Sequence, residues 1–393
     1  MEPSAFPDPC TIDSSTRTPA PLIHRRHQHH RMHLPEELLD EIFGYLPSSN
    51  KQSSHNCSLV SKSWLQPSRR LLFADVIIGP STYQSWLDNI SPTNTGLLCH
   101  VRSLTYYHVG GDEASDSRCG VYALRDYLPS FFQLQQLSFC FTNIEPTIYE
   151  HLEWFSAFQH TLSSLSLTKV SVTWSAFVAL VGYFPNLRDL AISETWFLVD
   201  DRPVPPLPCA LRGRLSITSR KVMEFPIDRL VGLKLEYEEL GMYGKCETRL
   251  VTAMGRTLKR LKIEQFYPEP TPRLSRCPEL RQLEIATPCP RKQDRILILS
   301  ITSINLQKLV FSRLRPNFLK NPCWIPVDDT ICGLVDRLQA SGYKHTLELE
   351  FRMDSVESGE EVDGKDFLPK FQEKGLVRIV EVPSGRFWEW PRK

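Results

Sequence analysis

A short pattern of hydrophobic positions, x-L-x-x-L-x-L, recurs along residues 101–351, with polar residues separating the apolar ones. Because side chains alternate along an extended chain, each copy predicts one short strand whose apolar residues share a face. The copies are Val101/Leu104/Tyr106, Leu134/Leu137/Phe139, Leu162/Leu165/Leu167, Leu187/Leu190/Ile192, Leu230/Leu233/Leu235, Leu258/Leu261/Ile263, Leu280/Leu283/Ile285 and Leu306/Leu309/Phe311, with weaker copies at Leu211 to Ile217 and Leu347/Leu349/Phe351. From Leu104 to Leu309, successive middle positions lie 18 to 33 residues apart, which leaves room for a helix or loop between strands.

The segments between these copies favour a solenoid of stacked units. Residues 149–158, 174–183 and 247–254 have helical spacing, and a single unit cannot bury its own apolar face. An ordinary α/β domain with leucine-rich strands is the alternative, but eight or more copies favour the repeat architecture. The pattern resembles degenerate leucine-rich repeats, because no consistent asparagine follows the strands. We therefore predict an α/β fold with an irregular leucine-rich-repeat solenoid.

A different pattern, with apolar residues every four positions, begins the segment from His33 to Phe73. Leu38, Ile42 and Leu46 form an apolar stripe of helical period. Pro35 suits the first position of a helix, where its missing N–H costs nothing. The pattern predicts a short amphipathic helix at the start of this segment.

Apolar residues return after a polar stretch, at Leu59, Val60 and Trp64. Three short helices in about forty residues lack the interior volume to bury all of these side chains together with those of the first helix. The excess apolar residues either pack on the following domain or form a surface that docks on a partner. The residues by themselves leave both interpretations open.

The same segment carries a family resemblance. It resembles the F-box through Leu34-Pro35-x-Glu37, Ile42-Phe43-x-x-Leu46 and Cys57-Ser58-Leu59-Val60-Ser61-Lys62-x-Trp64, followed by an exit toward Val76-Ile77-Ile78 that is common in fungal members. The resemblance implies a three-helix module that binds a Skp-type adaptor and, through it, a cullin-based ubiquitin ligase complex. The adaptor-binding residues that the resemblance implies are Leu34, Pro35, Leu38, Ile42, Leu46, Leu59, Val60 and Trp64.

Two positions of the second helix depart from the family pattern. Ser54 stands where a leucine is usual, and Asn50 stands where an acidic residue is common. A serine in place of a buried leucine weakens packing by roughly 2 to 4 kcal/mol if the site is closed. The sequence therefore identifies the module more firmly than it does the affinity for the adaptor, and it leaves open whether Asn50 and Ser54 weaken adaptor binding.

The patterns divide the chain into segments of different character. The expected segments are a disordered tail at 1–32, the F-box at 33–78, a linker helix at 79–100 and a leucine-rich-repeat-like solenoid with a C-terminal cap at 101–393. The tail is rich in Pro, Ser, Thr, His and Arg and has too few large apolar residues to offset the entropy of ordering. Within the other segments, Tyr83 to Ile90 predicts the connecting helix, residues 199–209 a proline-rich surface loop, and Leu376 to Val382 a closing strand.

The composition narrows the classes of partner. The 393 residues carry 46 Lys and Arg against 45 Asp and Glu, a formal net charge of +1, so we expect neither nucleic acid nor a membrane as a partner. Eleven dispersed cysteines without a CxxC pair, and no secretory leader, predict reduced thiols in a cytoplasmic or nuclear protein. The longest apolar stretch, Val172 to Phe184, is too short to span a bilayer and predicts a buried helix.

Motifs of catalysis are missing from the sequence. It contains no GxxxxGK[ST], HExxH or GxSxG motif and no Cys and His residues at zinc-ligand spacing. A surface built from repeated strands suits binding better than it suits a closed pocket. We therefore expect a non-catalytic protein without a cofactor, and an enzyme whose residues assemble only in space is the weaker alternative.

Residues that flank the inward leucines are predicted to line the concave face of the solenoid, because neighbouring side chains of a strand point to opposite faces. In the early repeats these residues are small and neutral, whereas in the later repeats they carry charges of both signs. The predicted substrate-binding residues are Lys234, Glu236, Arg260, Lys262, Glu264, Glu284 and Lys308. The alternative is that these side chains form salt bridges that contribute little beyond solubility.

These patterns together favour a substrate-recognition subunit of an SCF-type (Skp–cullin–F-box) ubiquitin ligase. In this interpretation the F-box binds the adaptor and the repeats hold a protein substrate. The alternative is an F-box interaction scaffold that does not direct ubiquitination. Adaptor binding is common to both hypotheses, and only the turnover of a target separates them.

Overall fold

The structure is a computed structural model in which part of the chain is described. The described residues are 35, 38–39, 41–42, 45, 51–79, 82, 92–107, 125, 127–144, 146–198, 211–219, 229, 235–244, 248–264, 273–314, 322–343, 346–353, 368–372 and 377–381. Of the predicted segments, the N-terminal tail, the linker helix at Tyr83 to Ile90 and the proline-rich loop at 199–209 lie outside these residues.

Helices come first along the chain, and strands then alternate with helices. The α-helices are α1 (Lys51–Ser58), α2 (Lys62–Leu72), α3 (Trp174–Tyr183), α4 (Thr248–Met254), α5 (Lys292–Leu299), α6 (Ile325–Ala340) and α7 (Pro369–Gln372). Short 3₁₀ helices occupy Pro92–His100, Leu128–Ser130, Pro146–Phe158, Leu274–Arg276 and Pro322–Trp324. The strands are β1 (Asp75–Ile78), β2 (Ser103–Tyr107), β3 (Gln136–Cys140), β4 (Asn143–Ile144), β5 (Ser164–Thr168), β6 (Ser171–Thr173), β7 (Asp189–Ser193), β8 (Trp196–Leu198), β9 (Leu211–Ser219), β10 (Leu235–Gly244), β11 (Arg260–Glu264), β12 (Gln282–Ala286), β13 (Lys308–Leu314), β14 (Glu348–Met353) and β15 (Val377–Glu381).

The N-terminal module contains the three predicted helical segments. Residues 38–39 and 41–42 are helical, and the N–H of Leu39 donates to the carbonyl of Pro35 at 3.1 Å. The third segment, α2, contains Pro67 in its interior. Pro67 and Ser68 are buried, and the Ser68 hydroxyl donates to the carbonyl of Trp64 at 2.6 Å. Packing of this buried turn outweighs the backbone hydrogen bond that the proline removes.

Twelve parallel strands form the main sheet and pair in chain order, which is the arrangement expected of a solenoid. Their inward side chains make two continuous rows in strand register. One row comprises Leu104, Leu137, Leu165, Leu190, Leu215, Leu240, Leu261, Leu283, Leu309 and Leu349. The other comprises Tyr106, Phe139, Leu167, Ile192, Ile217, Met242, Ile263, Ile285, Phe311 and Phe351. All of these residues are buried, so the leucine-rich-repeat prediction is confirmed.

The fifth copy of the pattern is misplaced by the sequence analysis. Its predicted middle residue was Leu233, whereas the structure places Leu240 of β10 in register with Leu215 of β9. A register shift between Tyr237 and Glu239 inserts one extra residue into β10. Because of this bulge, the leucine spacing no longer matches the strand register. The pattern therefore predicts Leu233 as the middle residue, whereas Leu240 occupies that place in the register.

A second, three-stranded sheet, formed by β4, β6 and β8, was not predicted. A sharp turn leads into each of these strands, with φ of 54° at Phe141, 53° at Lys169 and 48° at Glu194. The three N–H groups donate to carbonyl groups of the next repeat at 2.7 to 2.9 Å. A left-handed conformation costs a non-glycine residue about 1 to 2 kcal/mol, and this cost recurs in three successive repeats.

The helices between strands bury the other side of the core. Helix α3 is buried over most of its length, which confirms the prediction for Val172 to Phe184. At the C-terminal end, the ring of Trp324 lies 5.2 Å from that of Phe311 and 5.7 Å from that of Phe351. Strand β15 lies within the predicted closing strand and pairs with β14, completing the described sheet.

Candidate interaction surfaces

A group of large apolar side chains in the N-terminal module remains exposed to solvent. Leu38 is 46% exposed, Ile42 40%, Leu59 73% and Val60 64%, whereas Leu39 is 2% exposed. Leu38 and Ile42 are four residues apart and therefore lie on one side of their helix, and Leu39 points to the module interior. Much of the surface of these four side chains is therefore accessible to a partner.

Leu59 and Val60 are held outward by a turn that follows α1. The N–H of Leu59 donates to the carbonyl of Asn56, and that of Val60 to the carbonyl of Cys57, both at 3.1 Å. This turn fixes two consecutive apolar side chains at the surface before α2 begins. Exposed apolar groups of this size are a common feature of surfaces that bind another protein.

The other predicted adaptor-binding residues differ in their environment. Pro35 is exposed at the start of the first helical segment, and Trp64 is half-buried in α2. Leu34 and Leu46 lie outside the described residues.

Ser54 is 3% exposed, so a small polar residue occupies a closed position of α1. The site at which the family pattern has a leucine is therefore an interior one in this chain. Asn50, the other departure, lies outside the described residues.

Comparison with known proteins decides the identity of this module. Residues 32–66 match the F-box domain family. The N-terminal module is an F-box domain. F-box domains bind Skp-type adaptors in SCF complexes, and the F-box and leucine-rich-repeat families are typically non-catalytic interaction modules. A search of curated proteins found no match to the chain.

Among solved structures, the chain is similar to internalin C2 from Listeria monocytogenes str. 4b F2365. The two chains are 15% identical, with a TM-score of 0.28, and the match covers 62% of this chain and 96% of that one.

The last helix of the N-terminal module leads directly into the first strand of the main sheet. Helix α2 is followed by the turn Phe73–Ala74 and then by β1, which pairs with β2 as the first strand of the main sheet. The carbonyl of Ala74 accepts from the N–H groups of both Arg102 and Ser103 at 2.8 Å. Lys51 of α1 donates to the carbonyl of Asp75 at 3.0 Å. Helices and sheet are thus joined by direct hydrogen bonds.

The face of the main sheet opposite the core rows, here named the open face, is the one predicted to be concave. Two rows of residues alternate with the buried rows along the strands. One row comprises Asp75, Ser103, Gln136, Ser164, Asp189, Arg214, Glu239, Arg260, Gln282, Lys308 and Glu348. The other comprises Ile77, Thr105, Ser138, Ser166, Ala191, Ser216, Gly241, Lys262, Glu284, Val310 and Glu350. The open face therefore changes from small, mostly neutral residues to charged residues along the solenoid.

The later half of the open face carries a continuous network of ion pairs. Glu284, on β12, accepts from Lys262 of the preceding strand at 2.6 Å and from Arg352 at 3.3 Å. Arg352 also contacts Glu350 at 2.5 Å, and Lys308 forms an ion pair with the same carboxylate. Burial tends to raise the pKa of Glu350, but hydrogen bonds from Lys308 and Arg352 outweigh it, so the pKa lies below its usual range. This carboxyl group is therefore charged at neutral pH.

A second set of ion pairs lies beside this network. Glu239 accepts from Arg214 at 2.9 Å and from Arg260 at 2.7 Å. The buried carboxylate of Glu264 pairs with Arg313 through one oxygen, and its other oxygen has no hydrogen-bond partner among the described residues. Charges of opposite sign thus link β10 to both of its neighbours and link β11 to β13 across β12.

The predicted substrate-binding residues are partly brought together by the fold. Those that lie on the open face, each in an ion pair, are Arg260, Lys262, Glu264, Glu284 and Lys308. The backbone of Glu236 lies opposite that of Arg212 in the strand register, on the N-terminal side of the β10 bulge, and Lys234 lies outside the described residues. Sequence analysis missed Glu239, which the bulge brings onto the open face, and Arg352, which lies in β14 far away in sequence. The role of this face in substrate binding stays a prediction.

No described helix is long and apolar enough to cross a membrane. Within the described part of the chain, no three His, Cys, Asp or Glu residues are grouped so that they could hold a metal ion.

Proposed function

We propose that the chain is a substrate-recognition subunit of an SCF-type ubiquitin ligase, in which the F-box binds the adaptor and the solenoid holds a protein substrate. The exposure of Leu38, Ile42, Leu59 and Val60 supports this proposal most directly. Burying apolar surface stabilises an interface by about 25 cal/mol per Å², and these side chains offer such surface in the free chain. Leu34, Pro35, Leu46 and Trp64 complete the proposed adaptor-binding set.

Such a subunit needs no catalytic residues of its own. It raises the effective concentration of the substrate's lysine side chains near the ubiquitin-loaded enzyme of the complex. The chain's contribution is then binding and orientation, and cullin is contacted only through the adaptor.

The open face of the sheet is the proposed substrate surface. Its early half offers hydroxyl and amide groups, and its later half offers the paired charges of Arg260, Lys262, Glu264, Glu284 and Lys308, with Lys234 and Glu236 nearby in sequence. A substrate that binds the later half must exchange these internal ion pairs for its own.

The second candidate function is an F-box interaction scaffold that does not direct ubiquitination. One observation favours it, namely that the charges of the later open face already have partners within the chain. A face whose charges are satisfied internally gains little from electrostatic recognition of a substrate.

Co-purification with a Skp-type adaptor tests the first step. The variant Leu38→Asp with Ile42→Asp should lose adaptor binding, because two carboxylates would be buried without partners at an apolar interface. The matched control is Ile296→Asp with Leu299→Asp, since these side chains of α5 are 43% and 44% exposed and lie in the solenoid. Loss of binding in both variants, or in neither, contradicts the assigned surface, and circular dichroism shows whether each variant is folded.

Turnover of a captured substrate separates the receptor from the scaffold. Proteins trapped on the wild-type chain should be ubiquitinated in a reconstituted complex and should lose binding to a variant with Lys262→Glu and Lys308→Glu. Binding that this double reversal leaves unchanged removes the later open face from the proposal. Capture without ubiquitination supports the scaffold.

A further inference from the structure

A groove of about 620 Å³ lies at the edge of the sheet where strands β9, β10 and β11 begin. Its lining residues come from the starts of these strands and from the connections that precede β7, β11 and β12. They are Arg188, Arg212, Gly213, Glu238, Arg256, Thr257, Lys259 and Glu279. None of them belongs to the two rows of the open face, so the groove is a separate surface.

An irregularity of the repeat builds this groove. Strand β9 meets β7 only from Arg214 onward, but its earlier residues, Leu211 to Gly213, pair with β10 alone. The two strands therefore extend past the edge of the neighbouring repeats, and the bulge of β10 places Glu238 at their base. Bulges of this kind re-aim strands and side chains beside binding sites.

Gly213 is the residue that allows this approach. Its φ is 98°, and a Cβ atom placed on it would lie 2.2 Å from the carbonyl oxygen of Arg188. Only glycine fits such a backbone position without a shift of the chain. The wall of the groove thus depends on close packing between β9 and the segment before β7.

The groove has an excess of positive charge. Four basic side chains line it against two carboxylates, although the whole chain carries a formal net charge of only +1. One pair is satisfied internally, since Lys259 lies 2.5 Å from Glu238. Arg188 and Arg256 form no ion pair with any residue of the described part of the chain. Two guanidinium groups are therefore available to an incoming anion.

We propose that this groove binds an acidic segment of a protein partner, with side-chain oxyanions held by Arg188 and Arg256. A guanidinium group forms paired hydrogen bonds with a carboxylate or a phosphate, the two groups that give a peptide side chain this chemistry. The volume of about 620 Å³ lies in the range of ligand-binding clefts and exceeds that of a site for a single ion. Binding of an acidic segment is inferred from the groove itself. Only the identification of that partner as the substrate of the ligase rests on the proposed function.

Fluorescence anisotropy of the full chain with labelled peptides tests the groove. The probes are poly-Glu, a peptide of alternating phosphoserine and Gly, and poly-Gln as the uncharged control. Arg188→Glu with Arg256→Glu should weaken binding of the acidic probes by about tenfold or more, since each reversal replaces an attraction by a repulsion. The matched control, Arg102→Glu with Lys292→Glu, makes the same change of charge at exposed positions outside the groove.

The results show whether the groove binds acidic peptides and whether it prefers carboxylate or phosphate groups. Stronger binding of poly-Glu or of the phosphorylated peptide identifies carboxylate or phosphate as the preferred group. Equal weakening in the control variant, equal binding of poly-Gln, or tighter binding of a single-stranded oligonucleotide overturns the proposal. Arg188→Gln with Arg256→Gln provides a milder variant if the reversal disturbs folding. The peptide assay contains no adaptor, whereas the co-purification tests adaptor binding alone. Failure of the groove proposal can therefore be distinguished from failure of the proposed function.

Discussion

The amino group of Lys262 lies 2.6 Å from a carboxylate oxygen of Glu284 on the adjacent strand, and Glu284 is 2% exposed. Glu284 also accepts from the hydroxyl of Ser312 at 2.8 Å and from Arg352. A carboxylate this deeply buried is stable only because several donors replace the water it has lost. The open face is therefore held together by charges as well as by the leucine rows behind it.

We expect Lys262 and Glu284 to be energetically coupled. Unfolding in urea of Lys262→Met, Glu284→Gln and the double variant should give a coupling free energy of about 1 to 3 kcal/mol, because each single change leaves the other group with fewer partners. A coupling below about 0.5 kcal/mol would mean that Arg352 and Ser312 satisfy Glu284 without the lysine.

Asp294 should make the stability of the solenoid depend on pH. Burial raises its pKa to about 6 from an ordinary value of 3.8, and the N–H of Arg291, 2.7 Å from Oδ2, together with the Arg291 charge offsets this only in part. The folded chain thus binds more protons than the unfolded chain between these values, so the free energy of unfolding falls as pH rises through this window. At pH 7 the cost is roughly 3 kcal/mol at most.

The variant Asp294→Asn checks this sign. Asparagine keeps an oxygen that accepts from Arg291 but removes the buried charge, so it should be more stable than wild type by roughly 1 to 3 kcal/mol near neutral pH. The advantage should shrink toward about pH 4, where the wild-type carboxyl is protonated. A constant difference in urea midpoint across this range would contradict the assignment.

Gly213→Ala should be strongly destabilising. The added methyl group would meet the Arg188 carbonyl, and the positive φ is unfavourable for alanine, so we expect a loss of about 3 kcal/mol or more in unfolding free energy. Gly333→Ala is the matched control, because nothing lies within 4 Å of its position in α6. That change should instead stabilise the chain by about 0.5 to 1 kcal/mol, and thermal unfolding of both variants measures the contrast.

Leu59→Ser with Val60→Ser should separate folding from adaptor binding. Both side chains are mostly exposed in the free chain, so each change should alter unfolding by less than about 0.5 kcal/mol. Adaptor affinity should fall by about tenfold or more, because the lost apolar surface would be buried in the complex. Leu39→Ser, which alters a buried residue, should show the opposite balance with a clear loss of stability. Titration calorimetry measures the adaptor affinity of each variant, and thermal unfolding measures its stability. A large loss of stability in the Leu59→Ser, Val60→Ser variant, or unchanged adaptor affinity, would contradict this prediction.

The leucine pattern predicted the main sheet well because its two buried rows are defined by residue type alone. Each strand buries alternate positions, and Leu137, Leu165 and Leu190 fall in register as their spacing implied. The F-box was similarly visible, since its motif combines a proline at a helix start with apolar residues at fixed intervals. Local pattern was sufficient in both cases.

The pattern failed where the backbone departs from regular repeats. The short step to Leu233 was a sign of irregularity, but the sequence did not show that a bulge after Tyr237 makes Leu240 the buried leucine. The second sheet was missed because its turns use Phe141, Lys169 and Glu194 in a conformation that usually favours glycine. Residue type gave no signal at these three positions.

The sites were predictable only as far as they lie on strands. Lys262 and Glu284 could be placed on one face from alternation, but their pairing depends on the register between repeats. Arg188 and Arg256 lie in connections, where no periodicity assigns a direction to a side chain. The groove lies beside the bulge of β10 and the early start of β9, and neither has a periodic signal, so the groove could not be found from spacing.

The continuity between α2 and β1 has a mechanical consequence. Because β1 is hydrogen-bonded as the first strand of the sheet, the repeats are attached to the F-box through a hydrogen-bonded strand and not through a flexible linker. In the proposed complex, the turn Phe73–Ala74 would set the position and orientation of a bound substrate relative to the F-box. The geometry of this turn would then determine which substrate lysines come close to the ubiquitin-loaded enzyme. Lengthening the turn should allow a wider set of lysines to be modified before it weakens either adaptor binding or substrate binding.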